Sequence, residues 1–128
     1  MSQNYSIELN RAESTVMDAF IEAFYWADTG EDGQPDSEAE LAEDTKRAIA
    51  AICVDFVRRA SPYINPLATG WTWGGVGHDL YLTSQRHGVG FWDRGDTYGQ
   101  HGDLLTALSQ SYGIEGALYQ GDDGLIYI

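Results

Sequence analysis

The chain has 128 residues, 43% hydrophobic and 21% charged, a size and composition that fit one globular domain with a real core. Twenty acidic against seven basic residues give a net charge of −13, which repels phosphate backbones and excludes direct nucleic-acid binding by phosphate neutralisation. No apolar run approaches the roughly 20 residues of a membrane span. The opening MSQNYSIELN has no secretory-signal pattern, and the single cysteine, Cys53, has no partner for an internal disulfide, which suits a reducing cytoplasm.

The first predicted helix runs from Arg11 to Asp28. Val16, Met17, Phe20, Ile21 and Phe24 recur at three- and four-residue spacing as one apolar face. Asn10 and Glu13 have capping-box spacing, and Tyr25 and Trp26 extend the aromatic surface before DTGEDGQPDSE breaks the helix. Residues 28–44 hold eight acids (Asp28, Glu31, Asp32, Asp36, Glu38, Glu40, Glu43, Asp44) and no lysine or arginine, so this stretch carries −8 of the −13.

A second helix is expected to start near Ser37, where Ser37 and Glu40 again have capping-box spacing. Ile49, Ile52, Cys53, Phe56 and Val57 form its stripe, which makes Cys53 a small buried hydrophobe. Acids suit the first turns of this helix, Arg58 and Arg59 suit its negative end, and Pro62 and Pro66 close it.

After Pro66 glycine and aromatics dominate and the period falls towards two. HDLYLTS and GVGFWDR read as paired strands with QRHG as their turn. HGDLLTALSQSYG reads as a short helix with Leu104, Leu105 and Leu108 inward and Gly113 as its stop. GALYQ, GDDG and LIYI read as a second hairpin. The expected fold is therefore α+β: two N-terminal helices packed on a small antiparallel sheet of two hairpins, with a short helix between the hairpins. It forms a single domain, with residues 1–66 a helical half bearing the acidic loop and residues 67–128 a ββαββ half.

The segment GHDLYLTSQRHGVGFWDRGD holds His78, Asp79, His87, Asp93 and Arg94. A turn at Arg86 and His87 would place Asp79 opposite Arg94 across the hairpin, a pair worth about 0.2–1 kcal/mol. Metal binding is the sharper alternative, since two histidines and a carboxylate suit a zinc site or facial triad. His78 and His87 fall at opposite ends of the first strand, however, and no HExxH or cysteine pair occurs, so no metal and no cofactor are expected. A histidine beside Asp93 suits acid-base chemistry, but Thr83 and Ser84 have no orienting partner as nucleophiles. The glycines of GWTWGGVGHD match no phosphate-binding loop and are read as letting Trp71 and Trp73 fold over the sheet.

Aligned with a calcium-binding EF-hand loop, Asp28, Asp32 and Gly33 fit. Gly30, Pro35 and Ala39 do not, and a solvated acidic turn is the better reading. Trp92 and Tyr81, if exposed beside carboxylates, suit an anchor for a basic partner.

At GHD, LT, HG and GFWDRG the sequence resembles a family of small acidic proteins encoded by bacteriophages and prophages. The similarity extends over DAFIEAFYWADTGEDGQPD, the acidic second helix with DFV, and the ending YQGDDGLIYI. Leu80-Tyr81 and Ser84-Gln85 depart from a pattern of a more aromatic strand followed by Arg-Asn. The resemblance implies origin and action in the cytoplasm of an infected bacterium, and it carries no established activity to transfer.

The leading expectation is a phage accessory protein that binds a host or phage protein with a basic surface. Its sharpest form is a nucleic-acid-mimicking inhibitor of a nucleic-acid-handling or defence protein, with Glu31, Asp32, Asp36, Glu38, Glu40, Glu43 and Asp44 as the contact residues. The alternatives are a small enzyme or metal-dependent binding protein centred on the His/Asp segment, and a structural or virion-associated protein. No membrane partner is expected.

Overall fold

The computed structural model describes residues 8–67, 70–88 and 90–128. Helix α1 spans Arg11–Asp28, α2 Glu43–Ile64, α3 Trp73–Ser84, α4 Gly95–Tyr98 and α5 Gly102–Gln110. Strands β1, Tyr119–Gln120, and β2, Ile126–Tyr127, form one antiparallel pair. The expected sheet of two hairpins is thus not formed. The fold is mostly helical, and only the second hairpin exists, in reduced form.

Helix α1 follows its sequence signals. Glu13 N–H donates to Asn10 Oδ1 at 2.8 Å, and Asn10 N–H donates to Glu13 Oε1 at 2.9 Å, completing the capping box. Val16, Phe20, Ala23 and Phe24 are buried along its inner face.

Helix α2 starts at Glu43 instead of Ser37, because the preceding chain is extended. Leu41 bridges Ile126 in parallel register: Ile126 N–H donates to Glu40 O at 2.8 Å and Ala42 N–H to Ile126 O at 3.0 Å. This pairing takes the backbone groups that an earlier first turn would need. At the other end α2 runs through Pro62, so Arg58 and Arg59 lie short of its last turn and do not serve its negative end. Ile49, Cys53, Phe56 and Val57 are buried as the stripe requires.

The segment expected to be the first hairpin is the central helix, α3, followed by a reversal. Thr72 caps α3, accepting from Gly75 N–H at 2.9 Å. Asp79, Leu80, Tyr81, Leu82, Thr83 and Ser84 are all buried in succession, because α3 lies between α1 on one side and α5 with residues 91–93 on the other. A helix covered on nearly every side loses its amphipathic period, and a short apolar run then reads as a strand. The contact with α1 is close: a Cβ on Gly77 would stand 2.9 Å from both Ala19 Cβ and Val16 Cα.

Helix α3 ends in a Schellman motif. His87 N–H donates to Leu82 O and Arg86 N–H to Thr83 O, both at 3.1 Å, with Arg86 left-handed at φ +58°. The chain then reverses through Gly88 and Gly90 and returns along α3 as a 3₁₀ turn, Phe91–Asp93. Gly90 has φ +139°, and a Cβ there would stand 3.2 Å from Thr83 Cβ and collide with the Thr83 hydroxyl.

Phe91 stacks on Phe56 at 5.6 Å and meets Tyr98 edge-on at 4.9 Å, which joins this return to α2 and α4. In α5 Leu105 is buried and Leu108 half-buried, but Leu104 is 40% exposed, contrary to expectation. Trp71 and Trp73 have no sheet to cover; they meet edge-on at 5.0 Å against the helical core, with the Trp71 indole N–H on Leu67 O. Among the described residues no helix is long and apolar enough to cross a membrane.

Candidate functional site

The acidic stretch lies between α1 and α2 and has almost no regular structure, yet it is held at both ends and in the middle. The Tyr25 hydroxyl donates to Ala39 O at 2.6 Å, Gly30 N–H donates to Pro35 O at 2.9 Å, and Asp36 N–H donates to Gln120 Oε1 at 3.0 Å. Ile126 holds Glu40 and Ala42 as described, and the Thr45 hydroxyl donates to the same Ile126 carbonyl at 2.8 Å. Side-chain carboxylates are in none of these fastenings. Glu31, Asp32, Asp36, Glu38, Glu40, Glu43 and Asp44 are all exposed.

Two of the seven are neutralised within their own helix, Glu43 by Lys46 at 3.0 Å and Asp44 by Arg47. Exposed pairs of this kind contribute little to stability, but they reduce the field available to a partner. Among the described residues Glu31, Asp32, Asp36, Glu38 and Glu40 form no ion pair, so they are the sharper part of the surface. The structure adds residues that the sequence reading passed over. Gln120 on β1 holds Asp36, and two further exposed acids, Asp122 and Asp123, follow Gln120 in the turn between β1 and β2. The same strand presents Tyr119, 56% exposed. Tyr81, named with Trp92 as a possible anchor, is fully buried, while Trp92 is exposed near α5.

The five polar residues of the central segment do not form one centre. His78 lies on α3 against the Trp26 ring at 5.9 Å and lines a cleft of about 320 Å³ with Asp79, Arg94, Thr97 and Tyr98. His87 lines two other clefts and holds the end of α1, its Nε2 lying 2.9–3.0 Å from the Asp28 carboxylate. Asp93 is exposed and lines none of the three clefts. His101 packs against Tyr63 at 5.3 Å. Among the described residues no three or more His, Cys, Asp or Glu gather closely enough to hold a metal ion.

Asp28, the first position of the calcium-loop alignment, is spent on the fold. It accepts from the Tyr81 hydroxyl as well as facing His87. Burial first, and then Asp28, push the Tyr81 hydroxyl well above its ordinary value.

Asp79 and Arg94 do pair, although by helix and return rather than across a hairpin. Arg94 Nε donates to both Asp79 oxygens, at 2.9 and 2.8 Å, and the Tyr98 hydroxyl adds a bond at 3.2 Å. Burial pushes the Asp79 carboxyl above its ordinary value, and the Arg94 hydrogen bonds and charge offset this only in part. Cys53 is fully buried, and desolvation pushes its thiol up to about 12, so it is no nucleophile in the folded chain. Thr83 and Ser84, weighed as nucleophiles in the sequence, lie buried in α3. Thr83 accepts from Phe91 N–H at 3.3 Å, and the Ser84 hydroxyl donates to Tyr81 O at 2.7 Å. Compared with protein-family models, curated proteins and solved structures, the chain matches none.

Proposed function

We propose that the protein acts by docking, presenting the loop carboxylates Glu31, Asp32, Asp36, Glu38 and Glu40, with Glu43 and Asp44 at its edge, to a basic protein surface. The observation that carries this reading is a loop without helix or strand whose backbone is fastened at four places while every one of these carboxylates stays exposed. A pre-ordered loop loses little conformational entropy on binding, so its charge contributes to encounter and register without a large ordering cost. Tyr119, exposed in β1 next in sequence to the Gln120 that holds Asp36, suits the aromatic anchor that such interfaces use.

The partner class that fits best is a nucleic-acid-handling or defence protein of a bacterial cell, whose basic surface ordinarily meets phosphates. That setting is carried over from the phage-like reading of the sequence and is part of the proposal. In this reading the chain is an inhibitor that competes with nucleic acid.

The test compares the chain with a five-site variant (Glu31→Gln, Asp32→Asn, Asp36→Asn, Glu38→Gln, Glu40→Gln) and with a control, Asp18→Asn with Glu22→Gln on the exposed face of α1. Proteins captured from bacterial lysate are identified, and binding is then measured with the purified partner at low and raised salt. The expected result is a large loss for the five-site variant, little change for the control, salt weakening over a Debye length of about 8 Å at physiological ionic strength, and displacement of the partner's nucleic acid. Equal binding by wild type and five-site variant would refute the proposal. Capture in purified virions with no salt dependence would favour the structural role instead.

A further inference from the structure

The cleft above the Asp79–Arg94 pair has a chemistry distinct from the acidic loop. It is lined by Trp71, Thr72, His78, Asp79, Arg94, Thr97 and Tyr98 together with Gly70 and Gly75, and its volume of about 320 Å³ is at the lower end of ordinary ligand sites. The carboxylate at its base is already satisfied. Asp79 has a side chain 3% exposed; its two oxygens share the single Arg94 Nε–H, and one of them also accepts from the Tyr98 hydroxyl.

Arg94 spends only Nε on this pair. Guanidinium has five N–H donors, so four remain on the Nη groups, which make no hydrogen bond to any described residue on a side chain that is 48% exposed. The Thr97 hydroxyl and the His78 ring likewise have no hydrogen-bond partner among the described residues. Thr72 accepts from Gly75 N–H and keeps its own proton to donate. The Trp71 indole N–H is taken by Leu67 O, so Trp71 offers the cleft its ring.

We propose that this cleft binds the carboxylate group of a small, flat, singly charged organic acid, with Arg94 Nη, Thr97 and His78 donating to the carboxylate and Trp71 covering the apolar body. The side chains available for new bonds offer free N–H and O–H donors, while the only carboxylate in the lining is buried and already paired with Arg94 and Tyr98, which favours an anion over a cation. Asp93 and Asp96 flank Arg94 in sequence without lining the cleft, and the whole chain carries −13, so each further negative charge on a ligand meets repulsion. A monoanion is therefore favoured over a dianion. The proposal does not depend on the docking face, since none of its residues belongs to the loop.

The test is an NMR titration of the isotopically labelled 128-residue chain with benzoate, with benzamide and with inorganic phosphate. Benzamide keeps the ring and planar shape but has no charge. Expected is saturable movement of the Arg94 side-chain N–H and Trp71 indole signals with benzoate, with binding weaker by about tenfold or more for benzamide and weaker also for phosphate. Thr97→Val should lower benzoate affinity several-fold with an unchanged melting temperature, and Arg94→Gln should abolish binding. Should Arg94→Gln fail to fold, Thr97→Val alone decides. Equal response to benzoate and benzamide, tighter binding of phosphate, a Thr97→Val variant that binds as wild type, or shifts centred on Arg11 or Arg58 would each overturn the assignment.

Discussion

Replacing Gly77 by alanine tests the packing of the central helix on α1. The new Cβ would sit 2.9 Å from Ala19 Cβ and 2.9 Å from Val16 Cα, and closer still to the Val16 carbonyl oxygen. Carbon–carbon contacts are comfortable at about 3.5–4.0 Å, so the helices must part by roughly 1 Å, which forfeits a quarter to a half of each dispersion contact along the seam. Overpacking of this kind costs about 1–3 kcal/mol, against a gain of up to about 1 kcal/mol because alanine is the better helix former. The expected net loss is about 1–2 kcal/mol, which for a domain of this size lowers the melting temperature by roughly 3–10 °C.

Gly74 is the control. It lies in the same helix, and the nearest atom to its Cβ would be Thr72 Oγ1 at 3.9 Å, an ordinary contact, so Gly74→Ala should hold or raise the melting temperature. Ala19→Gly placed on the Gly77→Ala background should restore part of the loss but not all of it, since the Val16 backbone stays in the way. The assay is thermal unfolding followed by far-UV circular dichroism. A Gly77→Ala variant that melts at or above wild type would show that α1 and α3 do not approach as described.

Arg94→Gln leaves the buried Asp79 carboxylate with Tyr98 alone and should cost about 2 kcal/mol by urea denaturation, less than the roughly 3–5 kcal/mol for breaking a fully buried pair because Arg94 is half exposed. Asp79→Asn should cost less at neutral pH. Burial raises the folded Asp79 value, so the stability this group contributes is full below the ordinary carboxyl value of about 3.9 and is lost as pH rises through the raised one. The deficit of Asp79→Asn relative to wild type must therefore shrink between acid and neutral pH. Tyr112→Phe removes a 2.6 Å bond to Asp55, the largest cause of that carboxyl's lowered value. It should cost about 1 kcal/mol at neutral pH, and the difference should fade as acid protonates Asp55 in both folded and unfolded chains. Cys53 should resist alkylation in the native chain at neutral pH and react once denatured, as followed by mass spectrometry.

The parts of the fold that face water on one side were legible. Helix α1 shows a single apolar stripe and a capping box: the box is realised to the residue, and of the stripe Val16, Phe20 and Phe24 are buried while Met17 and Ile21 are half-buried. That the chain reverses after Ser84 and brings Arg94 back to Asp79 was also legible. The sequence reads, however, as a hairpin turn at Arg86 and His87 with Gly90 inside a strand, where the structure has a helix end and a left-handed Gly90. The structure flanking that reversal was not. Periodicity presumes a wet face, and α3 has almost none, so six buried residues in a row gave no helical signal.

The start of α2 was hidden for another reason. Ser37 and Glu40 have the spacing of a cap, but Ile126, at the far end of the chain, takes the backbone on either side of Leu41, and no local pattern reports that pairing. For the site, acidity was readable and fastening was not. Nothing near Asp36 or Ala39 announces that Gln120 and Tyr25 hold them. Likewise Asp28 gives no local sign of its bond to Tyr81.

The glycine-rich start of α3, WGGVG, is a poor helix former by itself. Its order is borrowed from the neighbours that enclose it, which come from both sides of the chain: α1 before it, α5 after it. Two peptides made by cutting between the segment that ends with α2 and the segment that begins with α3 should each be largely unstructured, yet recover helicity together when mixed. The molecule then behaves as one cooperative unit whose halves complement each other in trans.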